Sequence, residues 1–309
     1  MTSRFDAIDL GSLSIPDVIE TIEYETLLQQ RKDKARALFA EAGIMQDWDP
    51  SLESDPIVKQ LQEAAYREMV LRQRINDAAR ACMLAEATGA DLEGIAARYH
   101  VARRTIEEGD LTAIPPVEPV MESHASLRTR TLLAFEALSV AGPEGAYKYH
   151  ALSADPLVGD VDVDSPAPVE VVITVMTNTD TGVPDQDVLD NVLSALTDSD
   201  VRPFTDKVTV QAASAIDYAF VAILTVYGGP DAEVVRTASE ESLSEFVSGQ
   251  QRLGEPITLD GLHKAARVAG VKKVDLMLGD GMTPFSEITP TRTQFPRCTG
   301  FSVQIGGEA

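Results

Sequence analysis

Apolar positions recur at alternating steps of four and three along one stretch of the chain: Ile57, Leu61, Ala64, Glu68, Leu71, Ile75, Ala78, Cys82 and Ala85. That spacing keeps one stripe of a helix apolar, with Glu68 as its single polar member. Asp55 and Pro56 supply an N-cap and a first helical residue, and Gly89 supplies a stop, so the pattern predicts one helix over 56–88. At ~1.5 Å per residue it would span roughly 50 Å. Small residues fill the later half of the stripe and would let a neighbouring helix come close. Arg67, Arg72 and Arg74 flank it, where side chains set register and partner choice. Two readings fit: a long core helix within its own domain, or a helix that packs against another subunit.

Before this helix, Pro16 and a run of acids predict an extended start over 5–25, then a helix over 25–42 closed by Gly43. After it, "IPPVEP" (114–119) reads as a linker, and helices are expected near 124–140 and from Pro143. "LVGDVDVDS" (157–165) alternates as a strand. From Pro168 onward strands at 169–176, 206–213, 217–227 and 271–278 alternate with helices at 184–196, 230–247 and 259–270, and a last edge strand follows at 300–306. Gly182-Val183-Pro184-Asp185 and Gly228-Gly229-Pro230-Asp231 lead each cycle into its first helix by the same device. The expected fold is therefore α+β: an N-terminal helical domain with a long heptad-patterned helix (1–113), connecting helices and a strand (114–166), and two small β-α-β-type modules (167–215 and 216–309).

Composition narrows the function. The 309 residues carry a net charge of −23, and residues 151–200 hold eleven Asp or Glu with no Lys or Arg, a surface that repels phosphate backbones. No apolar run reaches the ~18 residues of a membrane span, and the first residues lack the apolar core of a signal peptide. The two cysteines, Cys82 and Cys298, have no paired spacing. No metal or cofactor is expected. His100, His124, His150 and His263 have no partners at ligand spacing, and Cys82 suits the seam as a small buried hydrophobe. "DVDVD" (160–164) fails the calcium-loop pattern, with Ser165 where glycine is needed and Val171 where an acid is needed, so a solvated acidic strand face is the expectation. No phosphate-binding loop or nucleophile elbow occurs, so an enzyme has no constellation to rest on.

"ADLEGIAARYHVARRTI" (90–106) scans like a helix-turn-helix, the distant alternative of a DNA-binding regulator. Residues 56–104 nevertheless hold eight basic and six acidic side chains, short of a basic face. Gly89 ending the long helix and Asp91 capping a short second one would instead make a helical hairpin.

Five segments resemble the baseplate assembly protein J family of P2-like contractile-tailed phages. They are "FDAIDLGSLSIPDVIE" (5–20), "AAYREMVLRQRINDAARACMLAEATGADLEGIAARYHV" (64–101), "VAGPEGAYKYHALSADPLVGDVDVDSP" (140–166), "DVRPFTDKVTVQAA" (200–213) and "YGGPDAEVV" (227–235), in the family's order. One departure is Val169, where the family's pattern has glycine. The resemblance implies a structural wedge subunit of the tail baseplate in the virion, assembled in the host cytoplasm. Implied partners are further copies of the chain, a tail protein I-type wedge subunit, a lysozyme-like or sheath-initiator subunit, and the central hub and spike; nucleic acid and membrane are not among them. The same role in an R-type bacteriocin is the alternative. The resemblance also implies N-terminal helices in a wedge bundle and C-terminal domains paired between copies. From heptad position, the interface candidates are Ile57, Leu61, Arg67, Glu68, Leu71, Arg72, Arg74, Ile75, Ala78 and Cys82, with Arg80 as a further charged contact.

Overall fold

The computed structural model describes residues 10, 14, 16–110, 112–139, 141–198, 201–228 and 231–308. Most of the segment 5–15, and Gly229 and Pro230 of the second turn device, lie outside the described residues. The chain divides into two compact units, one spanning residues 6–102 and the other residues 103–309.

The first unit is helical. Helix α1 (Tyr24–Ala42) ends at Gly43, whose φ of 66° is the left-handed conformation that glycine adopts without strain. Trp48 then folds back, its ring 5.1 Å from that of Phe39 and its indole N–H donating to Asp55 Oδ2 at 3.0 Å. Asp55 also caps α2 (Pro56–Ala81), accepting from the Ile57 N–H at 2.7 Å. This helix stops seven residues short of the expected 88. Residues 82–88 have good helix formers, but turns there let α3 (Gly89–Ala97) form separately, with Ala87, Leu92, Ile95, Ala96 and Val101 all buried. Burial of that apolar set overrides local propensity. Gly89 begins α3 rather than closing α2, and Thr88, not Asp91, stands at its N-cap. The helix ends with Val101 N–H donating to Ala96 O and His100 N–H to Ala97 O, each at 3.1 Å, around His100 at φ 60°. This is a Schellman stop with histidine where glycine is usual.

The second unit starts with a strand pair, β1 (Thr105–Glu107) and β2 (Val120–Met121), so "IPPVEP" lies in the loop between two paired strands. Helix α4 (His124–Leu133), a 3-10 turn (Glu136–Leu138) and α5 (Glu144–Ala154) follow. A first sheet has β4 (Glu170–Thr177) at its centre, antiparallel to β3 (Val158–Asp164) and parallel to β5 (Lys207–Ala212). Helix α6 (Gln186–Leu196) makes the crossover and buries Val188, Val192 and Leu196 at the 3.6-residue period of one helix face. A second sheet has β6 (Ser214–Val226) at its centre, antiparallel to β7 (Val271–Leu278) and parallel to β8 (Gln294–Glu308). Helices α7 (Ala232–Gln250) and α8 (Leu259–Ala266) cover it, and alternate residues of β6 (Tyr218, Phe220, Ala222, Leu224, Val226) enter the core beneath them. The two sheets share one arrangement, each with one parallel and one antiparallel neighbour at the central strand. The connections differ: the helices of the second module return the chain antiparallel, at β7. The last strand is also longer than expected, 15 residues.

Candidate assembly surface

Helix α2 presents two different faces. On one, Val58 is fully buried, and Ala65, fully buried, packs with the partly buried Leu61 and Met69 on Leu27 and Leu28 of α1. Asn76, only 4 % exposed, closes this face by pairing with the backbone of Glu20: its Nδ2 donates to Glu20 O at 2.8 Å and its Oδ1 accepts from Glu20 N–H at 3.1 Å. Both amide groups are satisfied, which is what lets a polar residue sit there.

Glu68 and Arg72 bind within the chain. Glu68 Oε2 accepts from Arg31 Nη2 at 2.6 Å, its Oε1 lies 2.8 Å from Arg72 Nη2, and Arg72 Nη1 reaches Glu20 Oε2 at 2.9 Å. The guanidinium groups of Arg31 and then Arg72 hold the Glu68 carboxyl below its ordinary value. Glu68 thus ties α2 to α1.

The other face is open. Leu71 and Ile75 are 65 % and 61 % exposed. Ala78 and Cys82, next along the stripe, are also exposed, as are Arg67, Arg74 and Arg80 beside it. Arg67 pairs with Glu63 one turn back. Ile57, Leu61 and Ala64 at the start of the stripe are half-buried. The expected seam is therefore divided: its first half leans on α1, and its second half faces solvent. Cys82 is an exposed free thiol in the chain alone, not a buried hydrophobe.

In the second unit, the acidic strand departs from expectation. Asp162 is 2 % exposed and carries an ion pair with Arg292, Nε to Oδ2 at 3.0 Å. Arg292 also donates to Asp164 Oδ1 at 2.8 Å and Val163 O at 2.7 Å, while Asp160 Oδ2 accepts from Leu253 N–H at 2.9 Å. "DVDVD" is thus a clasp joining β3 to the segments before β8 and after α7, and only Asp164 of the three faces solvent. The reason is tertiary: Met176, Ala213, Leu253 and Phe295 form a small core between the two sheets and bring Arg292 to the strand. A Cβ on Gly182 would lie 2.5 Å from the Phe295 ring, so the glycine of the first turn device is needed for this packing. Strand alternation marks Asp160, Asp162 and Asp164 as one face; nothing local marks Arg292 as their partner.

The two arginines after α3 are likewise engaged. Arg103 Nε donates to Glu122 O at 2.8 Å, and Arg104 Nη1 donates to Leu152 O and Asp155 O at 2.8 and 2.9 Å, at the end of α5. Burial, and then the nearby Arg130, pushes Arg104 down to about 10. Groups held in this way serve the fold rather than a phosphate backbone. Among the described residues no group of three or more His, Cys, Asp or Glu is placed to hold a metal ion, and no helix is long and apolar enough to cross a membrane.

The helical unit carries an open helix face, and the second unit is a clasped pair of small α+β modules, a multi-module architecture. Residues 53–110 match the Baseplate J-like N-terminal domain and residues 139–212 the Baseplate J-like central domain. Baseplate protein J of Escherichia phage P2 is 43 % identical over 303 residues, covering 97 % of this chain and 98 % of the relative. The chain belongs to the baseplate J-like family, a family of structural proteins of the phage tail baseplate. Among solved structures, a chain of the six-fold symmetrised anti-feeding prophage baseplate aligns with 59 % of this chain and 43 % of its own length, at 14 % identity and a TM-score of 0.37. A score that low adds no argument to the sequence match.

Proposed function

We propose that the chain is a wedge subunit of a contractile-tail baseplate and that the open face of α2 packs against helices of its wedge partners. The observation that carries the reading is the exposure of Leu71 and Ile75, at 65 % and 61 %, on one face of a helix already anchored to α1 by its other face. Two large aliphatic side chains one turn apart are what a bundle partner would cover. Arg67, Arg74 and Arg80 border that stripe and would give the contact a charged rim. The helical part (1–113) would form the wedge bundle with a tail protein I-type subunit, and the α+β modules at 167–215 and 216–309 would meet further copies, the sheath-initiating subunit and the central hub. A polar-rimmed contact of this kind can exchange between two arrangements, as a subunit that passes on the contraction trigger requires.

The double substitution Leu71→Asp with Ile75→Asp tests this. Both side chains are exposed, so the free chain should keep its helical circular dichroism and its melting temperature. Co-purification with the co-expressed baseplate partners should be lost. Normal complex formation by the double variant would overturn the reading.

A further inference from the structure

The two three-stranded sheets have four outer edges, and three of them carry charge. β3 has Asp160, Asp162 and Asp164, β5 begins with Lys207, and β7 holds Lys272, Lys273 and Asp275. Charges along an edge keep a further strand from pairing with it. The fourth edge is β8, at 15 residues longer than any other described strand. From Cys298 to Gly307 it has no charged residue at all.

On its inner side β8 pairs with β6, and bulges at Thr299 and Gly306 bracket a regular run from Gly300 to Ile305. Among the described residues, no backbone hydrogen bond leaves this run on its outer side. The run alternates: Phe301, Val303 and Ile305 belong to the core under α7 and α8, while Gly300, Ser302 and Gln304 are exposed on the other face. Phe301 stacks on Phe220 of β6 at 5.2 Å, yet both Phe301 and Ile305 stay half-buried. Their counterparts on the central strand, Phe220 and Leu224, are covered from both sides and fully buried. The edge residues lack the neighbouring strand that would finish their cover.

We propose that this edge pairs antiparallel with the same edge of a second copy of the chain, joining two three-stranded sheets into one continuous sheet. The inference deepens the reading that the α+β modules meet further copies, and rests on it. Unpaired N–H and C=O groups in a row accept an extended strand and little else. Self-complementarity then selects which strand. A two-fold axis through Val303 sets Phe301 opposite Ile305 of the second copy on the core face, and Ser302 opposite Gln304 on the open face, so apolar meets apolar and polar meets polar. Charge points the same way. Two chains of net charge −23 repel over most of their surface, and a run without charge is where identical backbones can approach.

The test uses the full chain co-expressed with its baseplate partners, carrying a benzophenone photocrosslinker in place of the exposed Gln304. The expected product is a dimer of the chain, joined within residues 298–307 of the second copy. Ser302→Lys should lower its yield about tenfold, because a lysine on the edge opposes strand pairing. Ser302→Thr, which keeps the strand, and Ser194→Lys, at an exposed position of α6, should leave the yield unchanged. A cross-link to a different protein, a dimer joined elsewhere in the chain, a yield indifferent to Ser302→Lys, or no product at all overturns the proposal. Partner complexes that form normally without the dimer product count against this edge alone. A chain that never co-purifies with baseplate proteins counts against the wedge reading and, with it, this proposal.

Discussion

Three described residues other than glycine adopt a left-handed backbone that their side chains resist, Met45 at φ 48° among them. Val169 sits at φ 75° and His100 at φ 60°, in the left-handed region where a Cβ meets the following carbonyl oxygen, and a β-branched side chain there is the more unusual. Val169 is also the position where the sequence resemblance leads to an expectation of glycine, so that departure coincides with the strained turn that starts β4. Val169→Gly should raise stability by up to about 1 kcal/mol, the relief exceeding the extra chain entropy of glycine, read as a higher urea midpoint. The clasp is a second residue-scale feature. Asp162 is 2 % exposed, so Arg292→Ala leaves a carboxylate buried without its cation and should destabilise the chain by about 2 kcal/mol. Asp164→Asn, at a side chain 50 % exposed, should cost well under 1 kcal/mol. Equal effects of the two in urea unfolding would show that the buried member is not the one that matters. The clasp was half legible: the aspartates announce themselves by alternation, whereas Arg292 lies 130 residues away.

At the scale of the element, α2 shows why a heptad stripe is an incomplete guide. Spacing finds a helix and one apolar stripe, but the buried positions Val58, Ala65 and Asn76 lie on a stripe rotated from it: Ala65 packs on α1, and Asn76 pairs with Glu20 ahead of α1. Asn76 carries no apolar signal, and its role depends on Glu20, 56 residues earlier. Glu68 belongs to this element too. Its carboxyl lies below the ordinary 4.5 because Arg31 and Arg72 donate to its charged form. A depressed folded-state value means that the contribution is present above the unfolded value and is lost as pH falls through the folded one. Wild type should therefore exceed Glu68→Gln in melting temperature at pH 7, and the gap should close as pH drops below about 4.5. Added salt should narrow it at pH 7, because the network is partly solvated. A gap that stays constant with pH would sink this account of how α1 and α2 are joined.

At the scale of the whole molecule, the chain forms two compact units, and the exposed half of the α2 stripe belongs to the helical one. Aspartates at 71 and 75 should abolish partner binding with the free chain still folded, and loss of its helical circular dichroism as well would show that the stripe serves the fold rather than assembly.

Local order was open to the sequence by itself. The caps at Asp55 and Gly43, the alternation of β3, the excess of acid and the five family segments all express interactions within a few residues, or composition, and these need no knowledge of the fold. The points decided by tertiary structure all depend on partners distant in the chain. Turns after residue 81 end α2 because Leu92, Ile95 and Ala96 are buried in a separate helix. The acidic strand became a clasp because Phe295 and Leu253 pack against Met176 and carry Arg292 to it. The second module's strand directions follow from two successive helices that return the chain antiparallel. Burial and ion pairing act between residues that meet only after folding, so a one-dimensional pattern can name the participants while the three-dimensional chain chooses the pairs.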